Sequence, residues 1–91
     1  MKLNFKFDVR HFVAIAYVLI SCDLGTEKDI IDELKTFEGV KEVLGTLGIY
    51  DIIVKVESQN AHKLREIITW KIRKMNHIKS TLTLLGIEVQ G

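Results

Sequence analysis

Proline is absent from the chain, so no Pro-rich linker divides it into subdomains. Cysteine is almost absent: Cys22 stands alone, which excludes an internal disulfide framework and fits a reducing compartment. Charge of one sign is missing too. Lys and Arg number 13 against 12 Asp and Glu, leaving +1, with no like-charge run and no acidic tail. Such a chain has no global basic field for nucleic acid. No apolar run is long enough for a transmembrane helix. His11, His62 and His77 are scattered, without metal-ligand spacing. Cys22 has no histidine partner that would make it a nucleophile, and Gly45 and Gly48 form no phosphate-binding pattern. No catalytic residue, metal or cofactor is expected.

What remains is one small domain of 91 residues, 47% hydrophobic, an ordinary share for a folded chain. A domain this short buries only about 60–70% of its unfolded surface, and oligomerisation is a common remedy. At the N-terminus, Lys2, Lys6 and Arg10 precede the apolar run from Phe12 to Ile20, and Leu19-Ile20-Ser21-Cys22 resembles a lipoprotein cleavage box. The favoured alternative is that Val13 to Cys22 is a buried strand. Processing at Cys22 would remove that strand from a repeat that needs it.

Residues 2–10 alternate, with Leu3, Phe5, Phe7 and Val9 on one side and charged or polar residues on the other, the period of a half-buried strand or arm. Ile15 to Cys22 reads as a second strand. Asp23-Leu24-Gly25 turns the chain, and Thr26 is the expected N-cap of a helix with Asp29 three residues on. Ile30, Ile31, Leu34 and Phe37 recur at helical spacing, and Gly39 ends the helix. Val40 to Leu47 is a strand interrupted by Gly45, Gly48-Ile49 a turn, and Tyr50 to Ser58 a further strand. Asn60 caps a second helix with the stripe Leu64, Ile67, Ile68, Ile72 and Met75. Lys71, Arg73 and Lys74 near its end suit the macrodipole. Ser80 to Val89 closes the chain.

The order β-α-β-β-α-β is a doubled unit. Val40-Lys41, Leu44 and Leu47-Gly48-Ile49 line up at a constant offset with Ile78-Lys79, Leu82 and Leu85-Gly86-Ile87. That is the ferredoxin-like arrangement, an α+β fold, here with an extra N-terminal strand or arm. Right-handed crossovers place both helices on one sheet face. Yet the strands are apolar on both: Ala16, Val18, Ile20 and Cys22 oppose Ile15, Tyr17 and Leu19, and Leu85 and Ile87 oppose Leu82 and Leu84. A bare apolar sheet face calls for a cover. The simplest is the same face of a second copy, giving a dimeric α/β barrel. Tyr17 and Leu19, with Phe5 and Phe7 of the arm, are therefore expected at the oligomer interface. Trp70 falls off the helical stripe and is expected at a second contact surface between dimers.

Several segments carry a family resemblance: Ala16-Tyr17-Val18-Leu19-Ile20, Gly39-Val40-Lys41-Glu42-Val43, Gly48-Ile49-Tyr50-Asp51-Ile52-Ile53-Val54-Lys55-Val56 and Ile78-Lys79-Ser80-Thr81-Leu82-Thr83-Leu84. The stretch from Ala16 to Glu88 resembles the effector-binding (RAM, regulation of amino-acid metabolism) domain of the leucine/asparagine-responsive Lrp/AsnC transcription regulators. Full-length members carry a helix-turn-helix before this domain, and no such helical pattern precedes the match. The resemblance implies a stand-alone effector domain. Residues 1–13 would be an N-terminal arm or hinge-like strand, and residues 14–91 the effector-binding and oligomerisation domain. It further implies a homo-oligomer of dimers, an octamer or decamer, that binds an amino acid between dimers in the cytoplasm. A full-length regulator is an implied partner. Direct DNA binding and membrane attachment are not expected.

Carried over residue by residue, Gly48, Tyr50 and Asp51 match the family's turn, and Ser80, Thr81 and Thr83 its polar positions on the last strand. Backbone N–H groups freed at Gly48 could approach a ligand carboxylate. Asp51 could accept from its ammonium, and the three hydroxyls would complete the polar set. The plainer alternative is that Asp51 caps a strand end and the threonines pair across strands. Small dimeric α/β-barrel monooxygenases and isomerases share the topology, but they need an acid or base in the cleft, and these strand interiors are almost entirely aliphatic. A ligand-free assembly module is the third reading.

Overall fold

Alternation in the first strand, β1 (Ala14–Cys22), sorts its side chains between two environments. Ala16, Val18, Ile20 and Cys22 are buried, while Tyr17 between them stays exposed, as a period of two requires. The strand reading of Val13 to Cys22 therefore holds. The computed structural model describes residues 13–86. Phe5, Phe7 and nearly all of the expected arm fall outside the described residues, as do residues 87–89 of the expected closing strand.

Helix α1 (Glu27–Leu34) buries Ile30 and Leu34, four residues apart on one face. Thr26 does hold the N-cap position, but its Oγ1 donates to the Asp23 carbonyl at 2.7 Å and makes no bond to the helix. The hydroxyl thus secures the preceding turn instead of capping. After a turn, the chain reaches Gly39 at φ +93°, where a Cβ would stand 2.8 Å from Ile67 Cδ1 and 2.9 Å from the Glu57 carbonyl. A side chain is excluded there both by conformation and by space.

Strand β2 (Val40–Gly45) is shorter than the sequence predicts, and β3 (Ile52–Ser58) starts later. Residues 46–51 form the loop between them. Asn60 caps α2 (Ala61–Glu66) as expected, its Oδ1 accepting from Lys63 N at 2.9 Å. The expected single α-helix then widens into a π-helical stretch, Ile67–Ile72, with Arg73 N donating to the Ile68 carbonyl at 2.9 Å. Leu64, Ile68, Ile72 and Met75 are buried and Ile67 packs on the core. Strand β4 (Ile78–Leu85) closes the sheet.

The strand order is β2-β3-β1-β4, with every neighbouring pair antiparallel. Bulges interrupt the register between Val40 and Glu42 and between Ser21 and Cys22. This is the ferredoxin-like α+β fold read from the doubled unit. The helices pack on the face that carries Ala16, Val18, Ile20, Ile52, Val54 and Val56, each with no solvent exposure.

Candidate functional site

The other sheet face carries the alternate residues. Register places Leu44, Ile53, Leu19 and Leu82 in one row across the four strands, and Glu42, Lys55, Tyr17 and Leu84 in the next. Tyr17, Leu82 and Leu84 keep 40%, 44% and 52% of their surface exposed, and Leu44 more. No described helix lies over them. Within this apolar field Lys55 Nζ sits 3.6 Å from Glu57 Oε2.

At one end the open face turns polar. Ser21 pairs with Ser80, and period two puts both on the open side with Leu19 and Leu82. Asp51, just before β3, ties β3 to the end of β1. Its N–H donates to the Ile20 carbonyl at 2.8 Å, and its Oδ2 accepts from Cys22 N at 2.9 Å. The loop beside it is closed by Thr46, whose N–H donates to the Asp51 carbonyl at 2.9 Å and whose hydroxyl donates to the Tyr50 carbonyl at 2.6 Å. At the tip, Gly48 has φ +151° with nothing near its missing side chain, and Leu47 and Ile49 on either side are almost wholly exposed.

Of the residues expected at a ligand site, Gly48, Tyr50 and Asp51 thus share one loop, and Ser80 faces the same end of the sheet. Thr81 and Thr83 oppose Ile20 and Val18, which belong to the helix-covered face. The pleat therefore divides the three hydroxyls between two sides. Trp70 stands apart in the helical layer, exposed as its position off the stripe requires. Ser21, Thr46, Leu47 and Ile49 complete the polar end and its loop, where none of them was expected as a site residue. Ser21 carried a signal: it is the hydroxyl in the series Ile15, Tyr17, Leu19, Ser21 that faces the open side.

Burial, chiefly, with the Asp51 and Glu27 carboxylates adding, pushes the Cys22 thiol above its ordinary range, while a bond with Thr26 opposes the shift. The thiol packs in the core, where burial disfavours the reactive thiolate. Among the described residues no polar or charged side chain is buried; the carboxylates and ammonium of Glu42, Lys55 and Glu57 lie on the open face. Nor, among the described residues, do three or more His, Cys, Asp or Glu cluster to hold a metal. No described helix is long and apolar enough to cross a membrane.

Comparison with known proteins fits this geometry. Homocitrate synthase from Sulfolobus acidocaldarius is 38% identical over 72 residues, which are 78% of this chain and 15% of that protein. The chain thus spans under a fifth of the length of the curated relatives it matches. The crystal structure of FFRP-DM1 superposes with a TM-score of 0.78 at 38% identity, over 81% of this chain and 99% of that one. Escherichia coli AsnC shares the fold with a TM-score of 0.80 at 20% identity, over 98% of this chain and 60% of that one. The family model for the Lrp/AsnC ligand binding domain matches residues 15–89, and the chain belongs to that family of ligand-binding regulatory domains.

Proposed function

We propose that the chain is an effector-binding assembly module. Two copies cover each other's open sheet face, and an amino acid binds at the polar end of that face, beside the loop 46–51. The observation that carries this is the layout of the open face: apolar rows of Leu19, Tyr17, Leu82 and Leu84 that end in Ser21, Ser80 and Asp51. A contact of about 800 Å² per partner is of ordinary size. At about 25 cal/mol per Å² of apolar area it outweighs much of a small domain's own stability. The exposed Leu47 and Ile49 add apolar surface at the loop tip for a further copy to cover. Phe5 and Phe7 in the arm of residues 1–13 would extend these contacts. Residues 14–91 form the effector domain.

In this reading the ligand's carboxylate meets the N–H groups around Gly48. Its ammonium meets the Asp51 carboxylate, one oxygen of which is already held by Cys22 N–H. Ser80 and Ser21 supply hydroxyls. Thr81 and Thr83 act, if at all, from the far side of β4. The assembled module modulates a full-length regulator by joining its oligomer. A thermal-shift screen of the common amino acids tests the reading. Asp51→Asn is the matched control, because it keeps an acceptor for Cys22 N–H while removing the charge. A ligand at 100 times its Kd should stabilise the wild type by about 2.7 kcal/mol, and Asp51→Asn should lose that gain. No shift with any amino acid at about 10 mM overturns ligand binding. A 10.4 kDa particle in light scattering overturns assembly.

The likeness to part of a homocitrate synthase favours a second reading, in which the module serves an enzyme in place of a regulator. Co-sedimentation with a full-length regulator, or with a synthase lacking this domain, separates the two.

A further inference from the structure

A second recess lies at the opposite end of β3 from Asp51, roughly 20 Å away at about 3.4 Å per strand residue. It is an open groove of about 520 Å³ between the helical layer and the ends of β2 and β3, floored by Gly39 and Ile67 and walled by Trp70. That volume falls within the span of small-ligand sites, about 300–1,000 Å³. Trp70 is 65% exposed and belongs to the π-helical stretch, a distortion that recurs at functional sites. Lys41, Lys63 and Lys71 line the groove. Among the described residues none of the three has a carboxylate within 4.0 Å, whereas Lys28 and Lys55 do. Lys71 Nζ instead stands 6.0 Å from the centre of the Phe37 ring.

The groove also holds Glu38, Glu57 and Glu66. Glu57 is taken by Lys55, and Glu66 by His62 at 3.5 Å when that imidazole is protonated. With Glu57 taken, Lys41, Lys63 and Lys71 stand against Glu38 and Glu66, a small cationic excess beside the Trp70 ring, over which Lys74 Nζ also lies at 5.2 Å. Stacking on tryptophan needs a planar ring, and lysine ammoniums act as point charges for an anion such as phosphate. We propose that this groove binds a nucleoside monophosphate, its base stacked on Trp70 and its phosphate held by Lys41, Lys63 and Lys71. The site is separate from the amino-acid site and does not depend on it.

Trp70 is the sole tryptophan, so intrinsic fluorescence reports on the groove directly. The full chain is titrated at low salt with adenosine monophosphate, adenosine and inorganic phosphate. Adenosine monophosphate should quench emission saturably with a midpoint below about 1 mM, and adenosine should bind about tenfold more weakly. Phosphate alone should leave emission unchanged but displace the nucleotide. The double variant Lys41→Glu/Lys63→Glu should weaken the nucleotide by about tenfold or more at unchanged Tm. Trp70→Leu, followed by calorimetry, should weaken it as well. The proposal is overturned by the absence of saturable quenching up to about 10 mM nucleotide, by equal affinity for nucleotide and nucleoside, or by indifference to the lysine reversals.

Discussion

The two faces of the sheet are built from alternate residues of the same strands, yet they differ in exposure, in side-chain reach and in charge, since Glu42, Lys55 and Glu57 lie on the open one. On the covered face, small and branched side chains (Ala16, Val18, Ile20, Val54, Val56) lie under two helices with no solvent contact. On the open face the side chains are larger and reach further: Tyr17, Leu19, Ile53, Leu82, Leu84. The first set suits close packing against a helix; the second suits a contact that is made later, by something else. A strand that is greasy on both sides thus presents two surfaces, one covered by the chain's own helices and one left open.

Substitutions can break that comparison. The largest effect on the fold is expected from Ile20→Ala, which opens a cavity under the helices and should cost about 2–5 kcal/mol in denaturant unfolding. Gly39→Ala comes next at about 1–3 kcal/mol, since its backbone is left-handed and its Cβ would meet Ile67 and the Glu57 carbonyl. Asn60→Ala removes the cap on Lys63 N–H and should cost about 1 kcal/mol. The smallest effect on the monomer, within about 0.5 kcal/mol, is expected from Leu82→Glu on the open face. The same change should shift light scattering from the assembled mass toward 10.4 kDa. If Leu82→Glu unfolds the chain as Ile20→Ala does, the two faces are not distinct.

The covered face also makes a prediction about pH. The folded Cys22 thiol titrates above its unfolded value of 9.0, so the fold holds its proton where the unfolded chain has released it. Stability from this group is complete below pH 9.0 and declines as pH rises through the folded value. Iodoacetamide should leave Cys22 unmodified in the native chain near neutral pH and label it once denaturant is added.

Much of this was legible beforehand because it rests on periodicity. Period two in β1 and β4 gave the two faces, and the doubled β-α-β unit gave the strand order. The separation of Ser80 from Thr81 and Thr83 was written in the same period, but grouping them as one hydroxyl set ignored it. Other features depend on tertiary contacts that no local pattern encodes. Residues Ile68 and Ile72 sit four apart, which suits an α-turn or a wider one equally, so the π-stretch was invisible. Thr26 stands where a cap belongs, but its hydroxyl donates to the Asp23 carbonyl and accepts from no helix N–H. The loop 46–51 shortened two expected strands because Thr46 bonds to both Tyr50 and Asp51 across it. Asp51 takes the plainer of its two expected roles, tying the strand ends together through Cys22 N–H and the Ile20 carbonyl.

One ammonium in the middle of the exposed sheet has a last consequence. Lys55, paired with Glu57 along the strand and in register with Glu42 across it, makes adhesion conditional. Whatever lies down on this surface must leave that cation its carboxylate or bring another, because stripping water from an unmatched charge costs more than the surrounding leucines return. A neighbour that parts the pair without replacing it is disfavoured. An apolar surface with an ion pair in its middle can be adhesive and still discriminate among the sheets that might cover it.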